Sequence, residues 1–222
     1  MELPPSVAAV LMAAGAGRRM GHCPKSLLLR DGEPLLLRQI RLLAQAGVAH
    51  VAVVLGHHAR ALQAVLAHAQ LPSAVSLRAV VNATPDQGPG SSLRCGLAAL
   101  PAEVDELLVV LADQPLLELE DIEAMRAAWR ARGAGVELVL PQHAGQPGHP
   151  IVFGPVLRQA VMQATGGQGV REWRRAHPEQ VQVVALPHER CTTDVDTPED
   201  LQSLGERFGV WLGRPPESAP WP

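Results

Sequence analysis

The sequence predicts an α/β fold in which a mostly parallel sheet carries helices on its faces. Two observations predict it. Apolar, β-branched runs alternate with alanine- and leucine-rich stretches of helical spacing, the pattern of right-handed βαβ units. The first apolar run, Val7 to Ala13, stops abruptly at Ala14-Gly15-Ala16-Gly17. That is how a buried strand reads when it feeds a loop whose bare backbone can approach a ligand.

The remaining elements follow in order. After the glycine loop, Leu27-Leu28-Leu29 and an Asp31-Gly32 turn lead to Pro34, which suits the first turn of a helix. Leu35, Leu36, Ile40, Leu42, Leu43 and Ala46 keep helical spacing, and Gly47 is a good C-terminal stop. Val51 to Leu55 is a continuous apolar run, hence a buried strand. His58 to Ala69 reads as helix and Val75 to Val81 as a strand. Asn82 to Gly90 is a polar loop, and Ser91 opens a helix running to Leu100. Leu107 to Leu111 is a strand, followed by Ala112-Asp113-Gln114-Pro115. Glu118 to Ala131 is a helix whose first-turn acids complement its dipole.

The second half is more broken. Val136 to Leu140 is a strand, Gln142 to Pro150 a loop, Ile151 to Phe153 a short strand and Val156 to Ala164 a helix. The turn Gly166-Gly167-Gln168-Gly169 enters a basic helix, Val170 to Ala176, and Val181 to Leu186 is a strand. Thr197-Pro198-Glu199-Asp200 is a helix start, with a hydroxyl cap, proline at the first position and acids in the first turn.

At 222 residues the chain can bury a substantial core. The expected organisation is one domain over residues 1–212, with halves at 7–135 and 136–212, then a disordered proline-rich tail at 213–222. A net charge of −3 provides no global field for nucleic acid or an anionic membrane, so neither is an expected partner. Cys23, Cys95 and Cys191 lack C-x-x-C spacing, which disfavours a disulfide framework or a zinc site and fits a reducing cytoplasm. No signal peptide is expected at Met1 to Ser6, nor any segment of the roughly 20 apolar residues that a membrane span needs.

Parallel sheets bind ligands at the carboxyl ends of their strands. The Gly15 loop, the Asn82 loop and Asp113 should therefore meet at one sheet edge. Consecutive N–H groups in a glycine loop form an anion-binding concavity, and Arg18, Arg19 and Lys25 add positive charge, so a polyphosphate is the natural guest. Of 19 basic residues 18 are arginine, and Lys25 is the only lysine, which points to a need for a compact ammonium there. Neither a Walker A loop nor a dinucleotide fingerprint fits, because Lys25 follows Pro24 and Gly21 falls one residue late after Gly15 and Gly17. Asp113 and the pair Asp194 and Asp196 supply oxygen ligands on loops, the donor set of Mg²⁺ beside phosphate. The adjacent His57 and His58 read as solvent-facing.

LMAAGAGRRMGHCPK resembles the glycine-arginine-lysine signature of the nucleotidyltransferases built on a Rossmann-like glycosyltransferase-A fold, a three-layer αβα sandwich of the nucleotide-diphospho-sugar transferase type. Gln87 to Arg94, Leu111 to Pro115, Gly148-His149-Pro150, Gly169-Val170-Arg171 and Asp194 to Pro198 are similar to the molybdenum-cofactor branch of that family. The resemblance implies transfer of a nucleoside monophosphate from a nucleoside triphosphate to the terminal phosphate of molybdopterin, with release of pyrophosphate. Ala13-Ala14 resembles the cytidylyl-transferring members, which favours CTP.

It further implies Mg²⁺ or Mn²⁺ held by Asp113 and Asp196, with Asp194 as a further candidate ligand. Lys25 and Arg19 would act on the phosphates. Leu11, Ala13, Ala14, Gly15, Gly17, Arg18, Gly21, Ser91 and Ser92 would bind the nucleotide, and His149 and Arg171 would face the acceptor. A molybdoenzyme-maturation chaperone is a further partner it implies. Guanylyl or sugar-phosphate transfer on the same fold is the alternative within enzymes, and a nucleotide-binding regulatory protein the alternative outside them.

Overall fold

A computed structural model of the chain describes residues 6–214. The expected leaderless start, apart from Ser6, and residues 215–222 of the expected disordered tail lie outside the described residues.

Among the described residues, ten strands and seven α-helices follow in order: β1 (Val7–Ala13), β2 (Leu29–Arg30), β3 (Glu33–Pro34), α1 (Leu35–Gln45), β4 (His50–Leu55), α2 (Ala59–His68), β5 (Ser76–Val81), α3 (Pro89–Ala99), β6 (Glu106–Leu111), α4 (Leu119–Arg130), β7 (Leu138–His143), β8 (Gln146–Pro147), β9 (Ile151–Phe153), α5 (Pro155–Gln163), α6 (Val170–Ala176), β10 (Val181–Ala185) and α7 (Pro198–Phe208). The main sheet runs in the order β10-β7-β9-β6-β1-β4-β5, and β8 pairs with β7. β1 is parallel to both β4 and β6, β4 to β5, and β7 to β10. β9 is antiparallel to both of its neighbours. The sheet is thus mostly parallel, as the alternation of runs predicts, with one reversed strand in the second half.

Side chains alternate across the sheet with the period of two that a strand dictates. Ala9 and Leu11 of β1 pack with α1, α2 and α4, including Ile40, Leu62 and Trp129. Ala8 and Val10 pack on the other face with Leu97 of α3, Leu157 of α5 and Trp173 of α6. A third apolar cluster, Leu28, Leu35, Leu116, Val195 and Leu204, seats α7 beside the first loop. Helices thus cover both faces of the sheet, the three-layer αβα sandwich the sequence predicts.

Several local expectations are corrected. α3 starts at Pro89, two residues before Ser91, because proline is pre-organised for a first helical position. Gln142 to Pro150 is not all loop, since β7 and β8 form a tight hairpin through Ala144 and Gly145, both at positive φ. Gly213, assigned to the disordered tail, exchanges two backbone hydrogen bonds of 2.8 Å with Leu29. The turns before α3 and α6 interlock backbone to backbone: a Cβ added at Gly90 would lie 2.0 Å from the Gln168 carbonyl oxygen. Arg94 of α3 donates to the carbonyls of Gly166 and Gln168 and reinforces that contact.

The topology fixes where a ligand can sit. From β1 the chain moves to β4 and β5 on one side, then returns to β6 on the other. The carboxyl ends of β1 and β6 therefore flank a topological switch point, the crevice where open α/β sheets bind ligands.

Candidate active site

The loop after β1 carries the cations of this crevice. Gly17 holds a left-handed backbone (φ 59°), and a Cβ there would meet the Cys23 carbonyl oxygen at 2.0 Å, so the tight return from Gly17 to Cys23 requires glycine. The return delivers Pro24 and a single 3₁₀ turn, Lys25–Leu27, whose Ser26 and Leu27 are buried and anchor it. Lys25 is thereby aimed at the end of β6. Its Nζ lies 2.6 Å from Asp113 Oδ2 and 2.7 Å from Asp196 Oδ1, and its side chain is only 12% exposed.

The two carboxylates are positioned by backbone. The Ala112 N–H donates to the Met12 carbonyl (3.0 Å), extending the β1–β6 ladder to the residue before Asp113. The Val195 N–H donates to the Asp113 carbonyl (3.2 Å), which stitches the approach to α7 alongside and sets Asp196 next to Asp113. Thr197 caps α7, and Asp200 reaches back to the N–H groups of Asp196 and Thr197. Arg19 donates to Asp196 from the solvent side.

Charge decides the protonation states. Burial alone lowers the Lys25 pKa, but the attraction and hydrogen bonds of Asp113 and Asp196 outweigh it and the net shift is upward. Partial burial likewise raises the Asp196 carboxyl, and Lys25 and Arg19 overcome it to leave the pKa below the usual carboxylate value. Asp194 is exposed and bonds to neither cation, yet desolvation and the carboxylates of Asp113 and Asp196 push its pKa up. The resting site thus holds the Lys25 ammonium between the carboxylates of Asp113 and Asp196.

An open pocket of about 370 Å³ extends from this wedge along the glycine loop, lined by Ala14 to Arg19, Lys25, His57, Pro85, Asp86 and Asp196. Arg18 pairs with Asp86 at 2.6 Å, His57 Nε2 lies 3.3 Å from the same oxygen, and His58 Nε2 lies 3.1 Å from the Ala16 carbonyl. His57 is exposed, in keeping with its reading as solvent-facing, whereas His58 is half-buried and turns to the loop. The sequence reading missed His57, Pro85 and Asp86 at this end. The signal was available, because they follow β4 and β5, whose carboxyl ends share an edge with β1.

Five of the residues expected to bind the nucleotide lie outside this pocket. Leu11 is fully buried in the core and paired with Val53 and Val110 on either side, so it holds the strand and not the pocket wall. Ser91 and Ser92 are buried on the inner face of α3, where Asn82 Nδ2 donates to both hydroxyls at 3.1 and 3.0 Å. They brace the strand end and do not line the pocket. Ala13 and Gly21 also stand outside the pocket lining: Ala13 pairs with Leu55, and Gly21 caps the 3₁₀ turn Arg18–Met20.

His149 and Arg171 lie away from the pocket wall. His149 is half-buried, and burial together with the Arg174 charge pushes its pKa down to about 4, so its imidazole is neutral. Arg171 is exposed on α6.

Asp113 and Asp196 could hold a divalent cation. Among the described residues no group of three His, Cys, Asp or Glu side chains forms a ready metal cage. A carboxylate pair beside a phosphate-sized pocket fits Mg²⁺ or Mn²⁺, which take one or two carboxylates and complete their shell with water and phosphate oxygens.

A basic glycine loop facing paired carboxylates at a switch point defines a protein that handles nucleotide phosphates. Comparison with known proteins agrees. The MobA-like NTP transferase domain matches residues 9–181, so the chain belongs to that family of nucleotidyltransferases. It is 34% identical over 204 residues to nicotine blue oxidoreductase of Paenarthrobacter nicotinovorans, covering 90% of this chain and 97% of that protein. It is also 34% identical over 160 residues to the bifunctional protein GlmU of Mycolicibacterium gilvum, but this covers 68% of the chain and only 30% of that longer protein. Among solved structures, Rv0371c from Mycobacterium tuberculosis H37Rv superposes with a TM-score of 0.73 at 25% identity, covering 90% of this chain and 98% of that one. A manganese complex of Rv0371c superposes at 0.70, also at 25% identity, covering 91% of this chain and all of that one. Among the described residues no helix is long and apolar enough to cross a membrane.

Proposed function

We propose that the chain transfers a nucleoside monophosphate, cytidylyl by preference, from its triphosphate to the terminal phosphate of molybdopterin, releasing pyrophosphate. The observation that carries the reading is the Lys25 ammonium in contact with both Asp113 and Asp196 at the floor of a pocket walled by the glycine loop. The nucleotide half takes the triphosphate, and the half beyond residue 135 takes the acceptor.

The acceptor needs little activation, because a phosphate monoester has a second pKa near 6 and is already a dianion at neutral pH. The obstacle is bringing two anions together, so positioning and charge neutralisation supply most of the rate. Lys25 neutralises the α-phosphoryl group as charge builds there. Arg19 and the loop N–H groups hold the departing pyrophosphate. Asp113 and Asp196 hold Mg²⁺ or Mn²⁺, which when bound supplies further charge neutralisation at the phosphates. Ala14, His57, Pro85 and Asp86 wall the far end of the pocket, where the ribose and base lie.

The test is pyrophosphate release with CTP or GTP, each with molybdopterin or a sugar 1-phosphate. CTP with molybdopterin is the expected productive pair. Release only with a sugar phosphate would move the chain to the sugar-nucleotide branch. A second reading, a redox activity, is favoured by the name of the Paenarthrobacter relative. It predicts consumption of a reductant by this chain with no pyrophosphate released under any substrate pair.

A further inference from the structure

We propose that Gln114 is a positioning residue that holds the Asp113–Asp196 pair and the His149 loop in one register. The inference rests on the reading above that Asp113 and Asp196 receive the divalent cation. Gln114 is 2% exposed, yet it is neither apolar nor fully satisfied, because its Oε1 is buried without a partner. A buried amide with an orphan oxygen is costly, and an apolar residue of the same volume would fill the space without that penalty. The reason for keeping it lies in what its nitrogen does.

Gln114 Nε2 donates to the Cys191 carbonyl at 2.7 Å. That carbonyl also accepts from the His149 N–H at 2.8 Å. Four residues beyond Cys191, the Val195 N–H returns to the Asp113 carbonyl at 3.2 Å. Asp113, Gln114, Cys191 and Val195 thus close a ring joining segments 77 residues apart. Asp196 leaves the ring one residue after Val195, and its carboxylate meets that of Asp113 at Lys25. From behind, Gln39 of α1, itself fully buried, donates through Nε2 to the Gln114 carbonyl at 2.8 Å and fixes that peptide. The Gln114 amide is therefore the shared support of the cation-facing carboxylates and the acceptor-facing loop. Groups that orient ligating carboxylates in this way change metal affinity or activity by about 10- to 100-fold when removed.

The experiment compares Gln114→Met, which keeps the volume and loses the donor, with Gln114→Glu, which keeps the shape and sets a carboxylate against the Cys191 carbonyl. Val161→Ala on α5, in the core layer on the other face of the sheet, is the stability control. Mn²⁺ binding is read by electron paramagnetic resonance without nucleotide, beside melting temperature and steady-state kinetics. Both Gln114 variants are expected to weaken Mn²⁺ about 10-fold or more, lower kcat and raise the KM of the acceptor above that of the nucleotide. Val161→Ala should lower the melting temperature and move none of these. Mn²⁺ affinity and kcat/KM within about 2-fold of wild type in both folded Gln114 variants would overturn the proposal and leave Gln114 a packing residue. Should only one variant fold, its Mn²⁺ affinity decides. Asp113→Asn separates the two readings: if it leaves Mn²⁺ binding unchanged, the carboxylate reading itself is wrong.

Discussion

Replacing Lys25 with arginine keeps the charge and changes only its shape, so it isolates what the compact ammonium does. In the resting site one Nζ contacts two carboxylates, at 2.6 and 2.7 Å, from a side chain 12% exposed. A guanidinium is wider and longer but forms the same pairings, bidentately with one carboxylate or bridging both. Folding stability should fall by about 1–3 kcal/mol, the scale of fitting a longer group into a nearly buried site. Turnover should not survive so well. A planar fork tied to the carboxylates cannot also reach the α-phosphoryl oxygens as a point charge, and losing one preorganised donor of this kind costs about 10²- to 10³-fold, or about 2.7–4 kcal/mol. Lys25→Met separates the terms further. It leaves two adjacent carboxylates without their shared counter-ion, which should cost about 1–3 kcal/mol of stability in addition to the rate. The assay is pyrophosphate release at saturating nucleotide beside urea denaturation. Near-normal turnover in Lys25→Arg would refute the role given to the single lysine.

Two glycine substitutions should divide sharply. Gly15→Ala meets nothing within 4 Å, so its melting temperature should match wild type while the nucleotide KM rises several-fold, because the new methyl stands on the pocket wall. Gly90→Ala collides with the carbonyls of Gln168 and Gly167 and should cost about 3 kcal/mol by denaturation with no selective effect on nucleotide KM. Asn82→Ala strips the buried Ser91 and Ser92 hydroxyls of their shared donor and should cost about 1–3 kcal/mol in the same measurement. For pH, the Asp196 pKa is lower folded than unfolded, so its stabilising contribution is present above the ordinary aspartate value near 3.9 and is lost as pH falls through the depressed one. Asp196→Asn should therefore flatten the loss of stability below about pH 4 in acid titrations followed by circular dichroism.

Much of this was readable because it is written in local patterns. β1 and its loop follow from an apolar run broken by glycines, and α7 starts where Thr197, Pro198 and Asp200 spell a cap. Lys25 stands out by its rarity and by its place after the basic glycine loop. What escaped reading depends on partners distant in the chain. The two-residue strand β8 has no apolar pattern of its own and exists only because β7 offers an edge. Ser91 and Ser92 look like ligand contacts beside a glycine-proline turn. Their burial follows from α3 beginning at Pro89, which turns both hydroxyls inward to Asn82. His57 and Asp86 lie 29 residues apart, and only the parallel pairing of β4 with β5 brings their loops to one rim.

The clasp between Gly213 and Leu29 has a temporal consequence. Lys25 emerges early in synthesis, but Asp196 follows 171 residues later, and the backbone that zips onto Leu29 later still. Contacts so remote in sequence close a long loop and form slowly. During translation Lys25 can therefore meet Asp113 well before Asp196 is made, and the three-way contact at its ammonium closes only late. A chain released before residue 196 would hold Lys25 and Asp113 but lack the second carboxylate of the wedge.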